Sequence, residues 1–151
     1  MSTLKDRLTA DMRAALKTRD ELTTSTLRMA LAAIANAEVA GKAKRELSDE
    51  EVISVLTREV KKRRESAAAF AEAGRSEQAA RENAEGDVLA RYLPKQLDDA
   101  ELAEVVAEAL AAGGFEGKAQ MGPAMKAAQT AVAGRADGAR VAAEVRRQLG
   151  I

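Results

Sequence analysis

The residues with the most capacity for chemistry lie together in one stretch, Arg58-Glu59-Val60-Lys61-Lys62-Arg63-Arg64-Glu65. On a helix Lys61 and Arg64 lie three apart and Arg58 and Lys62 four apart, so both pairs come within reach of one face. Such a face can neutralise phosphates and release their counterions. The same residues also fit a solvated helix surface, with Glu59 meeting Arg63 and Lys61 meeting Glu65 at i+4. A second basic group, Lys42, Lys44 and Arg45, adds to the first only if the fold lays it alongside. A third spot is formed by Lys126 and Arg135, with Arg140 near. Glu77, Glu82, Glu85 and Asp87 form the densest acidic group, and Glu82 and Glu85 share a face at i+3. They are a weak signal for a metal or an acid–base pair, because Arg75, Arg81 and Arg91 compensate them locally and no histidine accompanies them.

The absent residue types narrow the chemistry further. The 151 residues contain no cysteine and no histidine. Disulfides, thiolate nucleophiles, Cys/His zinc sites, imidazole bases and the Ser-His-Asp triad are excluded together. Gly122-Pro123 and Gly134-Arg135-Ala136-Asp137-Gly138 lack the preceding strand and the spacing of a phosphate loop. They read instead as helix-capping and turn residues. No catalytic residue, metal site or cofactor is expected.

The elements that position these groups are helices. Alanine, leucine, glutamate, lysine and arginine dominate, and there are two prolines, two phenylalanines, one tyrosine and no tryptophan. These are strong helix formers, so the expected fold class is all-α. The formal charge is zero, with 24 basic and 24 acidic side chains, so any polyanion site must be a local patch. Residues 1–97 carry 18 of the basic and 16 of the acidic groups. No apolar run approaches the roughly 20 residues of a membrane span. With no signal-peptide pattern at the start, the expected compartment is the cytoplasm.

Periodicity predicts seven helices. The first runs over about 3–17, capped by Ser2 or Thr3, with Leu4, Leu8, Met12, Ala15 and Leu16 inward. Asp20 caps the second, to about Val39, with Leu27, Ala30, Leu31, Ile34 and Ala37 inward. Ser48 and Glu51 form a capping box for the third, over about 49–73, which Gly74 ends. Its apolar face is Val52, Ile53, Leu56 and Val60, continued by Ala67, Phe70 and Ala71. Ser76 is expected to cap the fourth, with Ala80, Ala84, Val88 and Tyr92 inward. Gly86 inside it marks close packing or a local break.

Tyr92-Leu93-Pro94-Lys95-Gln96-Leu97 then interrupts the helical pattern. Pro94 lacks an N–H and pushes Leu93 out of the α region, so the stretch reads as a hinge. It divides an N-terminal bundle of about four helices, 1–93, from a smaller three-helix domain, 94–151. The only tyrosine, Tyr92, lies where the halves meet. Beyond it, Asp98 or Asp99 caps a fifth helix with Glu101 as partner, and Leu102, Val105, Val106, Ala109 and Leu110 inward. Gly113-Gly114 ends it. The sixth covers about 120–132, with Met121, Met125, Ala128 and Val132 inward and Pro123 in its first turn. Gly134 closes it. Asp137 caps the seventh, with Val141, Val145 and Leu149 inward. Ala-Gly-Arg, at 73–75 and 133–135, reads as one helix-stop used twice.

Taken in order, these landmarks resemble one family. They are Met12-Arg13-Ala14-Ala15, Leu27 to Ile34, Lys61 to Ser66, Ala73-Gly74-Arg75, Tyr92 to Leu97, Met121 to Lys126 and Gly134 to Gly138. Tyr92-Leu93-Pro94-Lys95-Gln96-Leu97 is the most specific of them. The chain resembles the GatB/YqeY family from end to end, as a free-standing YqeY-like protein. The resemblance implies a helical N-terminal domain followed by a three-helix domain. That second domain is similar to the tail of the GatB component of the glutamine-dependent aspartyl/glutamyl-tRNA amidotransferase. There the tail helps hold tRNA, while the chemistry belongs to domains with no counterpart here. Pro123 departs from the basic residue that relatives often carry after this glycine.

Three functions follow as expectations. The first is a non-catalytic accessory protein associated with tRNA or a tRNA-processing complex. It would bind through Lys61, Lys62, Arg63 and Arg64, with Lys42, Lys44, Arg45, Lys126 and Arg135 as further candidates. Tyr92, Pro94, Gly122, Gly134 and Asp137 would be structural. With so few aromatic residues, RNA contacts would be to phosphate and shape. The second is a protein-interaction adaptor that does not bind RNA, with Met121 and Met125 as adaptable contacts. The third and weakest is a carbon–nitrogen ligase using glutamine, for which the chain has neither an ammonia-releasing nucleophile nor a nucleotide loop.

Overall fold

A computed structural model describes residues 3–151; Ser2, one expected cap, lies outside them. The described residues form seven α-helices and one short 3-10 turn, with no strand, so the fold is all-α. The chain divides into two compact units, residues 1–93 and 94–151.

The first unit contains α1 (Leu4–Lys17), α2 (Glu21–Val39), α3 (Asp49–Glu72) and α4 (Ser76–Ala90). Local capping sets the starts. Thr3 and Asp6 form a reciprocal box on α1, Asp20 accepts from the Thr23 N–H on α2, and Ser48 and Glu51 form the box on α3. The N-terminus of α4 differs from expectation. Arg75 occupies the cap position without a side-chain hydrogen bond, and Ser76 is already helical. The α3–α4 turn is instead closed from the α3 side, where Gly74 takes φ +75° and the Arg75 N–H reaches the Phe70 carbonyl at 2.8 Å.

The core of this unit gathers Leu8 from α1, Leu27, Ala30 and Ile34 from α2, Val52, Val55 and Leu56 from α3, and Val88 and Leu89 from α4. Removing each leucine, isoleucine or valine among these from water supplies about 1.5–3 kcal/mol. The inward line of α4 is Ala79, Glu85, Gly86, Val88 and Leu89, so the expected Ala80 and Ala84 line is displaced, with Ala80 exposed. Alanine occurs in several helical phases of α4 and is small enough to sit in any of them, so tertiary packing decides. Leu16 is likewise exposed. Tyr92 packs against the core, and its hydroxyl donates to Asp11 Oδ2 at 2.6 Å, which ties the end of α4 to α1.

The second unit contains α5 (Asp99–Gly113), the 3-10 turn Lys118–Gln120, α6 (Met121–Val132) and α7 (Gly138–Leu149). Asp98 and Glu101 form the capping box of α5. The extended residues before it join the unit through backbone: Leu97 N–H donates to the Arg135 carbonyl at 2.7 Å, and Gln96 Nε2 reaches the carbonyls of Pro94 and Gly134. Leu97, Leu102, Val106, Leu110, Ala124, Ala128, Val132, Ala136, Val141 and Val145 form the core. On α6 the innermost line starts at Ala124 rather than Met121, which is half-exposed. The two Ala-Gly-Arg stops are not equivalent. Ala73 has φ −81°, whereas Ala133 itself takes the left-handed conformation, φ 51°, ahead of Gly134 at φ 78°.

Candidate nucleic-acid interface

The basic stretch lies in the second half of α3, and the fold sorts its members. Arg63 points inward and is 9% exposed. Its Nη1 donates to Glu85 Oε2 at 2.8 Å and lies 3.5 Å from Glu82 Oε2. Glu85 also accepts from Arg81 Nε at 3.0 Å. The acidic pair of α4 therefore serves as the partner of two arginines, one from α3 and one from its own helix. Removing a carboxylate from water is costly unless it is paired and hydrogen-bonded, and this pairing meets both conditions.

Arg64 lies across α4. Its Nη2 donates to Asp87 Oδ1 at 2.7 Å, and its Nη1 donates to the Asn83 carbonyl at 2.9 Å and to Asn83 Oδ1 at 3.2 Å. A Cβ on Gly86 would stand 3.0 Å from this guanidinium, so close packing accounts for the glycine and α4 is not broken there. Lys62 Nζ meets Glu59 at 3.2 Å and stays largely in solvent. Lys61 and Arg58 are exposed. The outward cations of α3 are thus Arg58, Lys61 and Lys62, and the two arginines that follow are committed to α4.

Within the first unit, the Lys42, Lys44 and Arg45 group is not gathered with them. Arg45 makes a two-pronged ion pair with Glu51 at the start of α3. That guanidinium is the main cause holding the Glu51 carboxyl down at about 2, and the Ser48 backbone N–H adds to it. Glu51 and Lys61 are ten positions apart, about 15 Å along the helix axis. Lys42 and Lys44 are exposed in the preceding loop. Lys126 is exposed on α6. Arg135 turns back on its own helix, with Nε donating to the Val132 carbonyl and Nη2 to the Ala131 carbonyl, both at 2.9 Å. It caps α6, as cations at helix C-termini do. Asp137 accepts from the Ala139 N–H at 3.1 Å, and Gly122 is the exposed second residue of α6. Tyr92 carries the Arg7 guanidinium 4.9 Å from its ring centroid. Burial, with the Asp11 hydrogen bond and charge, pushes its hydroxyl up to about 12.

A groove of about 630 Å³, which periodicity does not foretell, runs between α2 and α3. Ala32, Ala33, Ala37 and Val55 give it an apolar lining, and Met29, Arg58, Lys62 and Arg63 border it. Its only trace in the sequence is the small side chains of Leu31-Ala32-Ala33-Ile34, and alanine is too common in this chain to single them out. Among the described residues no three metal-ligating side chains cluster, and no helix is long and apolar enough to cross a membrane.

Comparison with known proteins adds one match. The model of a family described as "Yqey-like protein" matches residues 5–149. A search of curated proteins finds no match. With nearly its whole length matched and its seven helices in place, the chain belongs to the YqeY-like family.

Proposed function

We propose that this protein is a non-catalytic, tRNA-associated accessory factor that meets phosphate through α3. The observation that supports this reading most is the division of labour among consecutive cations. Arg63 and Arg64 clamp α3 to α4, while Arg58, Lys61 and Lys62 face solvent on the stiffened helix. A cation on a fixed helix loses less freedom on meeting a phosphate than one on a loop. The resemblance to a tRNA-holding tail, which concerns residues 94–151 and not α3, supports tRNA as the polyanion. For carbon–nitrogen ligase chemistry the sequence offers neither a cysteine nor an amidase-type serine cluster. The test is a binding titration with tRNA on the Lys61→Gln/Lys62→Gln variant. Loss of two phosphate contacts lowers the log–log salt slope by about two. An unchanged slope rejects α3 as the contact surface.

A second reading, a protein-interaction adaptor, is favoured by the α2–α3 groove. Its floor of Ala32, Ala33, Ala37 and Val55 offers phosphate no partner, and only its border is cationic.

A further inference from the structure

The groove does not end at the residues that line its widest part. Two smaller depressions continue it along α3, sharing Ser66 and Glu82 with it and meeting each other at Phe70. Phe70 is half-exposed and belongs to neither hydrophobic core, although it is the largest apolar side chain of α3. Met29, at the groove's border, is 43% exposed. The trough thus offers two adaptable apolar anchors with alanines between them. From Val55 to Ala73 it follows α3 for about 27 Å, or five helical turns.

Its charges are sorted by depth. Glu59, Glu82 and Glu85 are largely buried and face Lys62, Arg63 and Arg81. The exposed ends are mainly cationic, with Arg58, Lys62, Arg75 and Arg81 against one exposed acid, Glu77. At the base, Arg63 is incompletely satisfied. Its Nε–H has no acceptor among the described residues, and its Nη2 meets only the Met29 thioether at 4.0 Å. A buried guanidinium N–H without an oxygen partner costs free energy that an incoming carboxylate would recover.

From this juxtaposition we infer that the α2–α3 trough is the docking site for an acidic amphipathic helix of a partner protein. The partner's apolar side chains cover Met29, Ala32 and Phe70. Its glutamates or aspartates run along the Arg58–Lys62 edge, and one of them reaches Arg63 once Met29 swings aside. This is helix-in-groove recognition, with apolar anchors spaced at i, i+3 or i+4, and i+7. Its apolar anchors, on α2 and at the end of α3, are not used in RNA binding, and the two surfaces share only the Arg58–Lys62 edge.

The test is an amide NMR titration of the full chain with a synthetic amphipathic helix of about 18 residues, matched to the trough by the 1.5 Å rise. The probe carries leucine and alanine on one face and glutamates along its edge. A second peptide replaces each glutamate with lysine. The glutamate peptide is expected to shift Ala32, Ser66 and Phe70, with the lysine peptide binding roughly tenfold more weakly, or about 1.4 kcal/mol. Ala32→Gln and Phe70→Ala, both outside the core and neither changing a charge, are expected to abolish the shifts while leaving tRNA affinity unchanged. Equal binding of both peptides, no shifts at the trough, or indifference to both variants overturns the inference. So does tRNA perturbing Ala32 and Phe70 in place of the peptide, which would make the trough a nucleic-acid surface.

Discussion

Arg63 and Glu85, 22 residues apart, meet at 2.8 Å in the interior of the α3–α4 pair. The most basic stretch of the chain therefore has a structural half and a solvent-facing half, and consecutive residues differ in what their loss should do.

Arg63→Met should destabilise the first unit by about 3 kcal/mol, because it leaves Glu85 and Glu82 buried with one fewer partner. Lys62→Ala should stay within about 0.5 kcal/mol of the parent, as an exposed ion pair contributes little. Urea denaturation followed by circular dichroism distinguishes them. Equal effects would mean that Arg63 is not a core residue.

Two glycines of the α3–α4 pair should respond oppositely. Gly74→Ala, at φ +75°, should cost about 1 kcal/mol, since an L side chain is strained there. The nearest atoms that a Gly86→Ala methyl meets are the flexible end of Arg64, so in an Arg64→Ala background the helix should gain about 0.8–1 kcal/mol from propensity. Thermal melts of the set measure both signs.

Ala133 holds a left-handed conformation without being glycine. Ala133→Gly should relieve that strain and stabilise the second unit by roughly 0.5–1 kcal/mol. A lower melting temperature for this variant would contradict the assigned backbone.

Tyr92 is the only tyrosine, so absorbance titration reads it alone. Its hydroxyl should ionise near 12 rather than 10. A raised folded-state value means its contribution to stability is present below pH 10 and is lost as pH rises toward 12. Tyr92→Phe should remove that alkaline dependence and cost about 1 kcal/mol at neutral pH. At the other end of the scale, Glu51 is lowered from 4.5 to about 2 by Arg45 and the Ser48 cap. Its contribution is present above pH 4.5 and is lost as pH falls through 2, so the stability gap between parent and Glu51→Gln should close across that window.

The helix starts of α1, α2, α3, α5 and α7 are legible in the sequence because capping is local, whereas Ser76 does not cap α4. Ser48 and Glu51, or Asp98 and Glu101, are three residues apart and need no tertiary information. Pro94 marked the end of the fourth helix for the same reason. The partners of Arg63 and Arg64 were not legible. For Arg63 a candidate partner within one helix turn, Glu59, is at hand, and only the α3–α4 packing shows that acids of the next helix, Glu85 for Arg63 and Asp87 for Arg64, are chosen. The inward phase of α4 is not legible because its alanines fit any face and because a glutamate, Glu85, takes the buried position next to the expected Ala84. The groove between α2 and α3 depends on how two helices separate, which periodicity does not encode.

Whether the outward cations of α3 serve a tRNA is decided by fluorescence anisotropy with bulk tRNA, at low and near-physiological salt, against duplex DNA of similar length. The expected result is tighter binding to tRNA than to DNA that survives the higher salt and weakens in Lys61→Glu/Lys62→Glu. Binding that is absent, or equal for both nucleic acids and lost in salt, would refute the proposed role.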